Sequence, residues 1–246
     1  MSSDVVDLRD FYRTGLGQIA RRMIRGAIRQ VWPDLRGMRL LGIGYTTPFL
    51  PAMSAETERT VALMPAALGV LGWSPEGRNL VTLADEGELP FADYSIDRVM
   101  LVHALETTDQ AGPMLKEIWR VLAGGGRLLV IAPNRRGIWA RLDRTPFGSG
   151  RPYTMSQLSR LLRDEQFTPV GTGTALFIPP ARKRMILRSA ASSKPGFRST
   201  NSGTATLPIS CTIPLRRRSL QSSRDNPILS ASETADRESR SQWPSV

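Results

Sequence analysis

The sequence predicts one doubly wound α/β domain with a mostly parallel sheet, on three observations. Short, near-continuous apolar runs alternate with stretches of helical period. Strands buried on both faces read as such runs, and their alternation with helices makes the sheet parallel. The first run ends in two glycines one residue apart, Gly42 and Gly44, where such a sheet lets a ligand approach the backbone. A chain of 246 residues holds one such domain with a sizeable core, and not two.

Leu16, Ile19, Ala20, Met23, Ile24, Ala27, Ile28 and Val31 recur at three- and four-residue steps. They predict an amphipathic helix that ends before Pro33. Arg21, Arg22, Arg25 and Arg29 fall largely off that stripe, on a solvated face. Strands follow at 39–43, 60–64, 80–84, 98–103 and 127–132. Between the last two, Leu115, Ile118, Trp119 and Leu122 mark a helix over 112–122, stopped by Gly124, Gly125 and Gly126. Thr154 and Gln157 have capping-box spacing for a helix over 155–163. A sixth strand is expected over 170–178, weakened by Gly171 and Gly173.

From Ser189 onward Ser, Thr, Arg and Pro dominate, and neither a period of 2 nor one of 3.6 recurs. The domain is therefore drawn at 1–188, a helical cap of 1–35 on a core of 36–188. Residues 189–246 are expected to form a disordered basic tail. A flexible tail, a basic nucleic-acid arm and the product of a shifted reading frame all fit that composition. No seventh strand is found there, so the sheet is expected to lack its last strand.

The formal charge is +11, yet of 33 basic residues only Lys116, Lys183 and Lys194 are lysine. A GC-rich gene gives the same arginine bias. The arginines are spread along the chain with no nucleic-acid motif beside them, so nucleic acid is permitted as a partner but not favoured. One cysteine, Cys211, excludes an internal disulfide and a multi-thiolate zinc site. With a single histidine, His103, no metal site is expected. No window approaches the roughly 18 apolar residues of a membrane span. The acidic start is unlike a signal peptide, and the expectation is a cytoplasmic protein.

Two stretches flank the fourth strand. Asp85-Glu86-Gly87-Glu88-Leu89-Pro90-Phe91 runs through a polar turn to Ile96-Asp97. Leu115-Lys116-Glu117-Ile118-Trp119-Arg120-Val121-Leu122 leads through the three glycines into strand five. Together with the Gly42–Gly44 turn, in this order and spacing over residues 10–180, they resemble the class I S-adenosylmethionine-dependent methyltransferases. The bacterial ubiquinone/menaquinone-type branch, which acts on small molecules, is the most similar.

The resemblance implies a Rossmann-like methyltransferase fold, S-adenosylmethionine as cofactor and a small-molecule methyl acceptor; a non-catalytic relative serving as a binding or regulatory scaffold is the alternative. It places the backbone of Gly42, Ile43, Gly44 and Tyr45 against the methionine portion of the cofactor. Asp85 accepts a hydrogen bond from the adenine amino group, Glu86 offers its backbone N–H to the ring, and His103 sits beside the transferred methyl. His103 is also the sole side chain whose ordinary pKa suits a general base near neutrality. A packed strand-end role for it stands beside that one, and Glu106 matches a glutamate common in the family.

The connection over 133–153 is long and carries Arg135, Trp139, Arg151 and Tyr153. As a lid it suits an anionic or aromatic acceptor, and a plain surface excursion fits the same residues. Phe11 and Tyr12 either cap the crevice or staple the first helix to the sheet. Three departures bear on affinity. Leu40 replaces the usual acid before the glycines, Tyr45-Thr46-Thr47-Pro48 replaces a third glycine, and Met64-Pro65 stands where a carboxylate grips the ribose. Losing that charged hydrogen bond weakens binding about ten- to a hundredfold. No Asn/Asp-Pro-Pro-Tyr follows the fourth strand, which removes the usual device for methylating base amines.

Overall fold

The computed structural model of the protein describes residues 4–73, 79–141, 145–176, 196–198 and 210–217. Strand β1 (Arg39–Gly44) lies parallel between β2 (Arg59–Pro65) and β4 (Ile96–Val102). Outside β2 runs β3 (Val81–Ala84), and outside β4 runs β5 (Leu122–Pro133), both parallel. The order 3-2-1-4-5 reverses between β1 and β4, so the ligand crevice of this architecture opens at the carboxyl ends of those two strands.

β1 to β4 thus stand within two residues of their sequence positions, whereas β5 begins at Leu122, ahead of the expected start at 127. The apolar stretches of β1, β2, β4 and β5 are buried between the layers above and below, while β3, at the edge of the sheet, is only partly covered and leaves Leu83 exposed. On one face α4 (Ala111–Val121) and α5 (Met155–Asp164) cover Leu41, Ile43, Leu101 and Val130. The expected capping box opens α5. On the other face the expected N-terminal helix is α2 (Gly15–Val31); a helix not expected, α1 (Val5–Arg13), precedes it, and both pack on Leu40, Met64, Met100 and Leu129. A single turn, α3 (Pro51–Ser54), follows β1. Thr14 ends α1 and caps α2, accepting from Gly17 N at 3.0 Å. A side chain at position 17 would stand 2.0 Å from Phe11 O, so glycine is what lets the helices meet.

The motif that carried the resemblance is a structural clip. Arg120 donates to the carbonyls of Leu89 and Phe91 and to Glu117 and Asp93, while Glu117 accepts from Leu89 N at 2.9 Å. Hydrogen bonds to Glu117 and then Asp93 raise the Arg120 pKa further. The Leu-Pro-Phe turn is therefore tied to α4, which explains why the two stretches occur together. A second clip, Asp97 on the N–H and guanidinium of Arg39, joins the starts of β4 and β1.

The far side of β5 differs from expectation. The sixth strand, read at 170–178, is two short pieces, β6 (Phe167–Pro169) and β7 (Thr172–Thr174); positions 177–178 lie outside the described residues. The sheet does not stop at β5. Within the segment read as a disordered tail, β9 (Ser210–Arg217) pairs antiparallel with β5 from Arg127↔Arg216 to Pro133↔Ser210, and β8 (Gly196–Arg198) pairs with β7. The rest of 189–246 lies outside the described residues. The sequence hid β9 because Pro214 interrupts its run, and a proline inside a run argues against a central strand. An unpaired edge on β5 supplies the contrary pressure, since its N–H and C=O groups need partners.

Candidate active site at the ends of β1 and β4

After Val102 the chain must leave the sheet. His103 does so at φ +50°, in the left-handed region, where a non-glycine residue costs about 1–3 kcal/mol and points to a functional constraint. The turn aims its ring into the crevice, 2% exposed. Nε2 lies 2.9 Å from the Tyr12 hydroxyl and Nδ1 lies 3.1 Å from Glu106 Oε1. Tyr12 and Glu106 are equally buried. Burial, and then the nearby Glu106, push the Tyr12 phenol well above its ordinary pKa, so it keeps its proton and donates to Nε2. Nδ1–H then donates to Glu106. Glu106 Oε2 is buried with no hydrogen-bond partner among the described residues.

Aromatic rings seal this chain of three. Phe147 stands 5.0 Å from the His103 ring, Tyr45 stacks on Tyr12 at 5.8 Å, and Trp139 packs edge-on against Phe147. The connection after β5 is zipped at its base, with Tyr153 N donating to Pro133 O and Arg135 N to Tyr153 O. It returns beneath Glu106, whose carbonyl accepts from Arg151 N at 2.7 Å. A Cβ on Gly150, at φ +78°, would sit 2.4 Å from that carbonyl.

The glycine turn is closely packed. Gly44 has φ +84°, and a Cβ there would meet Val102 O at 2.3 Å. Tyr45 N donates to the same carbonyl at 2.8 Å. Over Gly42 lies the side chain of Thr46, which is fully buried with its hydroxyl unpartnered among the described residues. Ile43 is in the core on the α4 side. At the end of β2, Met64 is fully buried and its Sδ accepts from Leu71 N at 3.4 Å. Asp85 is exposed with Oδ1 accepting from Gly87 N, whereas Glu86 is buried with Oε1 accepting from Thr108.

A cavity of about 430 Å³ opens between α1, α2, the glycine turn and the segment after β2, a size typical of small-ligand sites. Of the residues singled out in the sequence, Tyr12 and Tyr45 line it. Gly42, Ile43, Gly44, Asp85, Glu86 and His103 are not among its lining residues. Tyr12, Tyr45 and His103 are brought together, and Glu106 joins them. Arg135 and Arg151 are exposed, Arg151 paired with Asp109, while Trp139 is a core side chain and Tyr153 donates to Leu105 O. Sequence reasoning missed Arg9, Arg13 and Trp73 on the wall, and Arg21, read as part of a solvated face, lines the cavity too. The available signal was the spacing of Arg9, Tyr12 and Arg13, which share one helix face. Among the described residues no cluster of potential metal ligands occurs, and no helix is long and apolar enough to cross a membrane.

Residues 40–130 match the model of a family described as a methyltransferase domain. Among solved structures, the chain is similar to an S-adenosylmethionine-dependent methyltransferase, described as a possible histamine N-methyltransferase, from Thermotoga maritima. The TM-score is 0.61 at 17% identity, covering 87% of this chain and 96% of that one. The Burkholderia thailandensis 1,6-didemethyltoxoflavin-N1-methyltransferase, solved with its substrate and S-adenosylhomocysteine, gives a TM-score of 0.50 at 17% identity, over 80% of this chain and 78% of that one. A [4+2]-cyclase, SpnF, gives 0.51 at 16% identity, over 80% of each chain. Likeness at such identities establishes the fold and leaves the reaction to be argued from the site. No curated protein sequence matches the chain.

Proposed function

We infer an enzyme that transfers a methyl group from S-adenosylmethionine to a small-molecule acceptor, a reading supported by the match of residues 40–130 to a methyltransferase domain model and by a sheet similar to those of solved S-adenosylmethionine-dependent methyltransferases. The observation that carries the reading is the buried Tyr12–His103–Glu106 chain at the end of β4, with Tyr12 also on the cavity wall.

The residues present fit the cofactor unevenly. The left-handed Gly44, where a Cβ would collide with Val102 O, lets the turn after β1 pack tightly beside the end of β4, and one oxygen of exposed Asp85 is free of its own turn. The end of β2 offers Met64-Pro65 and no carboxylate for the ribose. Gly42, Gly44 and Tyr45 would hold the methionine portion and Asp85 with Glu86 the adenine. When bound, S-adenosylmethionine supplies a methyl carried on a sulfonium.

What the chain's own residues do is position, desolvate and move a proton. The rings around His103 exclude water, so the acceptor meets a dry wall. As the acceptor loses its O–H or N–H proton to Tyr12 Oη, the phenolic proton passes to His103 Nε2. Glu106, on Nδ1–H, holds the tautomer and stabilises the imidazolium that forms. Titration calorimetry with S-adenosylhomocysteine tests the reading. Micromolar binding that Asp85→Ala weakens about tenfold or more is expected. Absent binding overturns it.

A further inference from the structure

The cavity carries a charge that methyl transfer does not use. Arg9, Arg13 and Arg21 stand in its wall, and no acidic residue does. Arg9 and Arg13 share a single exposed carboxylate, Asp10, at 2.9 and 4.0 Å. Among the described residues Arg21 has no carboxylate within ion-pairing distance, whereas Arg29, on the same helix, pairs with Glu56. Apolar ring surface faces the same space, from Tyr45, stacked on Tyr12, and from Trp73. Burial first, opposed by the Thr47 hydrogen bond and by Arg9 and Arg13, sets the Tyr45 phenol above its ordinary pKa, so the field of both guanidiniums reaches the ring.

Cations without matching anions, gathered beside aromatic faces, have one obvious complement. Guanidiniums offer planar forks to carboxylate or phosphate, and rings stack on rings. We propose that this cavity takes the acceptor as a planar aromatic anion, its charged group on Arg13 and Arg21 and its ring along Tyr45 and Trp73. That places the reacting edge towards Tyr12. The identification as acceptor rests on the methyltransferase reading; the anion site itself does not.

Benzoate, phenyl phosphate and uncharged benzamide are titrated calorimetrically into the full chain at low ionic strength. At least one anion is expected to bind, with benzamide weaker by about tenfold or more. The double variant Arg13→Ala/Arg21→Ala should weaken the anion about ten- to a hundredfold. Arg22→Ala, an exposed arginine off the cavity, should leave it unchanged. Thermal melts of each variant confirm folding. Equal binding of benzamide, an equal loss in Arg22→Ala, or no anion binding would overturn the proposal. So would displacement of the anion by S-adenosylhomocysteine, which would make the cavity the cofactor's methionine site. Anion binding without S-adenosylhomocysteine binding would sink the methyltransferase reading and leave the anion site standing.

Discussion

The two halves of the crevice are built differently. At the end of β4, three polar side chains from α1, the strand end and the following turn form one buried chain, sealed by rings. At the ends of β1 to β3 the contacts are backbone and apolar: a left-handed Gly44, a threonine over Gly42, a buried Met64 and an exposed Asp85. Every polar side-chain atom of this chain except Glu106 Oε2 has a partner among the described residues, and breaking a buried polar network is costly, so the β4 half is held to one geometry. The β1–β3 half has little charge with which to hold an adenosyl group. The difference teaches that the specific side-chain chemistry of this crevice is concentrated at the end of β4.

The largest expected effect separates the halves directly. His103→Ala should lower kcat about 10²–10⁴-fold with an acceptor that must lose a proton, while S-adenosylhomocysteine affinity stays within twofold. An equal fall in that affinity would break the comparison by joining the halves. Next comes Gly44→Ala. It combines a left-handed backbone with a 2.3 Å approach to Val102 O and should cost about 3 kcal/mol in chemical denaturation. Gly124→Ala, with open space around the new Cβ, should change stability by no more than about 0.5 kcal/mol.

Arg120→Ala removes the clip between the Leu-Pro-Phe turn and α4 and should cost about 1–2 kcal/mol. Because the clip touches no residue of the Tyr12–His103–Glu106 chain, kcat should hold while the denaturation midpoint falls. A smaller effect than that of Arg120 is expected at Asp97, whose carboxyl is held below its ordinary value by the Arg39 side chain, despite partial burial. A depressed carboxyl stabilises above its unfolded pKa, and that stability fades as pH falls through the folded value. Asp97→Asn should therefore cost about 0.5–1 kcal/mol at pH 7 and progressively less below about pH 4, read from denaturation across that range.

Residues that act locally were legible in advance. The five parallel strands and α4 showed as apolar runs and periods, Thr154–Gln157 as a cap, and His103 stood out by being the lone imidazole. Long-range partnerships were not. Nothing in the spacing of Tyr12 and His103, 91 positions apart, announces a 2.9 Å contact, nor that Glu106 completes it. Trp139 looked like a lid residue because aromatic rings read alike in a lid and in a core, and burial decides between them. The strand at 210–217 was concealed by Pro214, and only the open edge of β5 selects it.

By itself the sequence determined the layered fold, the glycine turn at Gly42–Gly44 and the resemblance that the clip motifs carry, because periodicity and turn chemistry are written within a few residues. Only the tertiary structure decided which side chains meet in that crevice, that the open volume lies against three arginines of the N-terminal helices, and how the sheet is completed beyond β5. Those outcomes depend on distances between segments far apart in the chain, and such distances are fixed by packing, which no local pattern encodes.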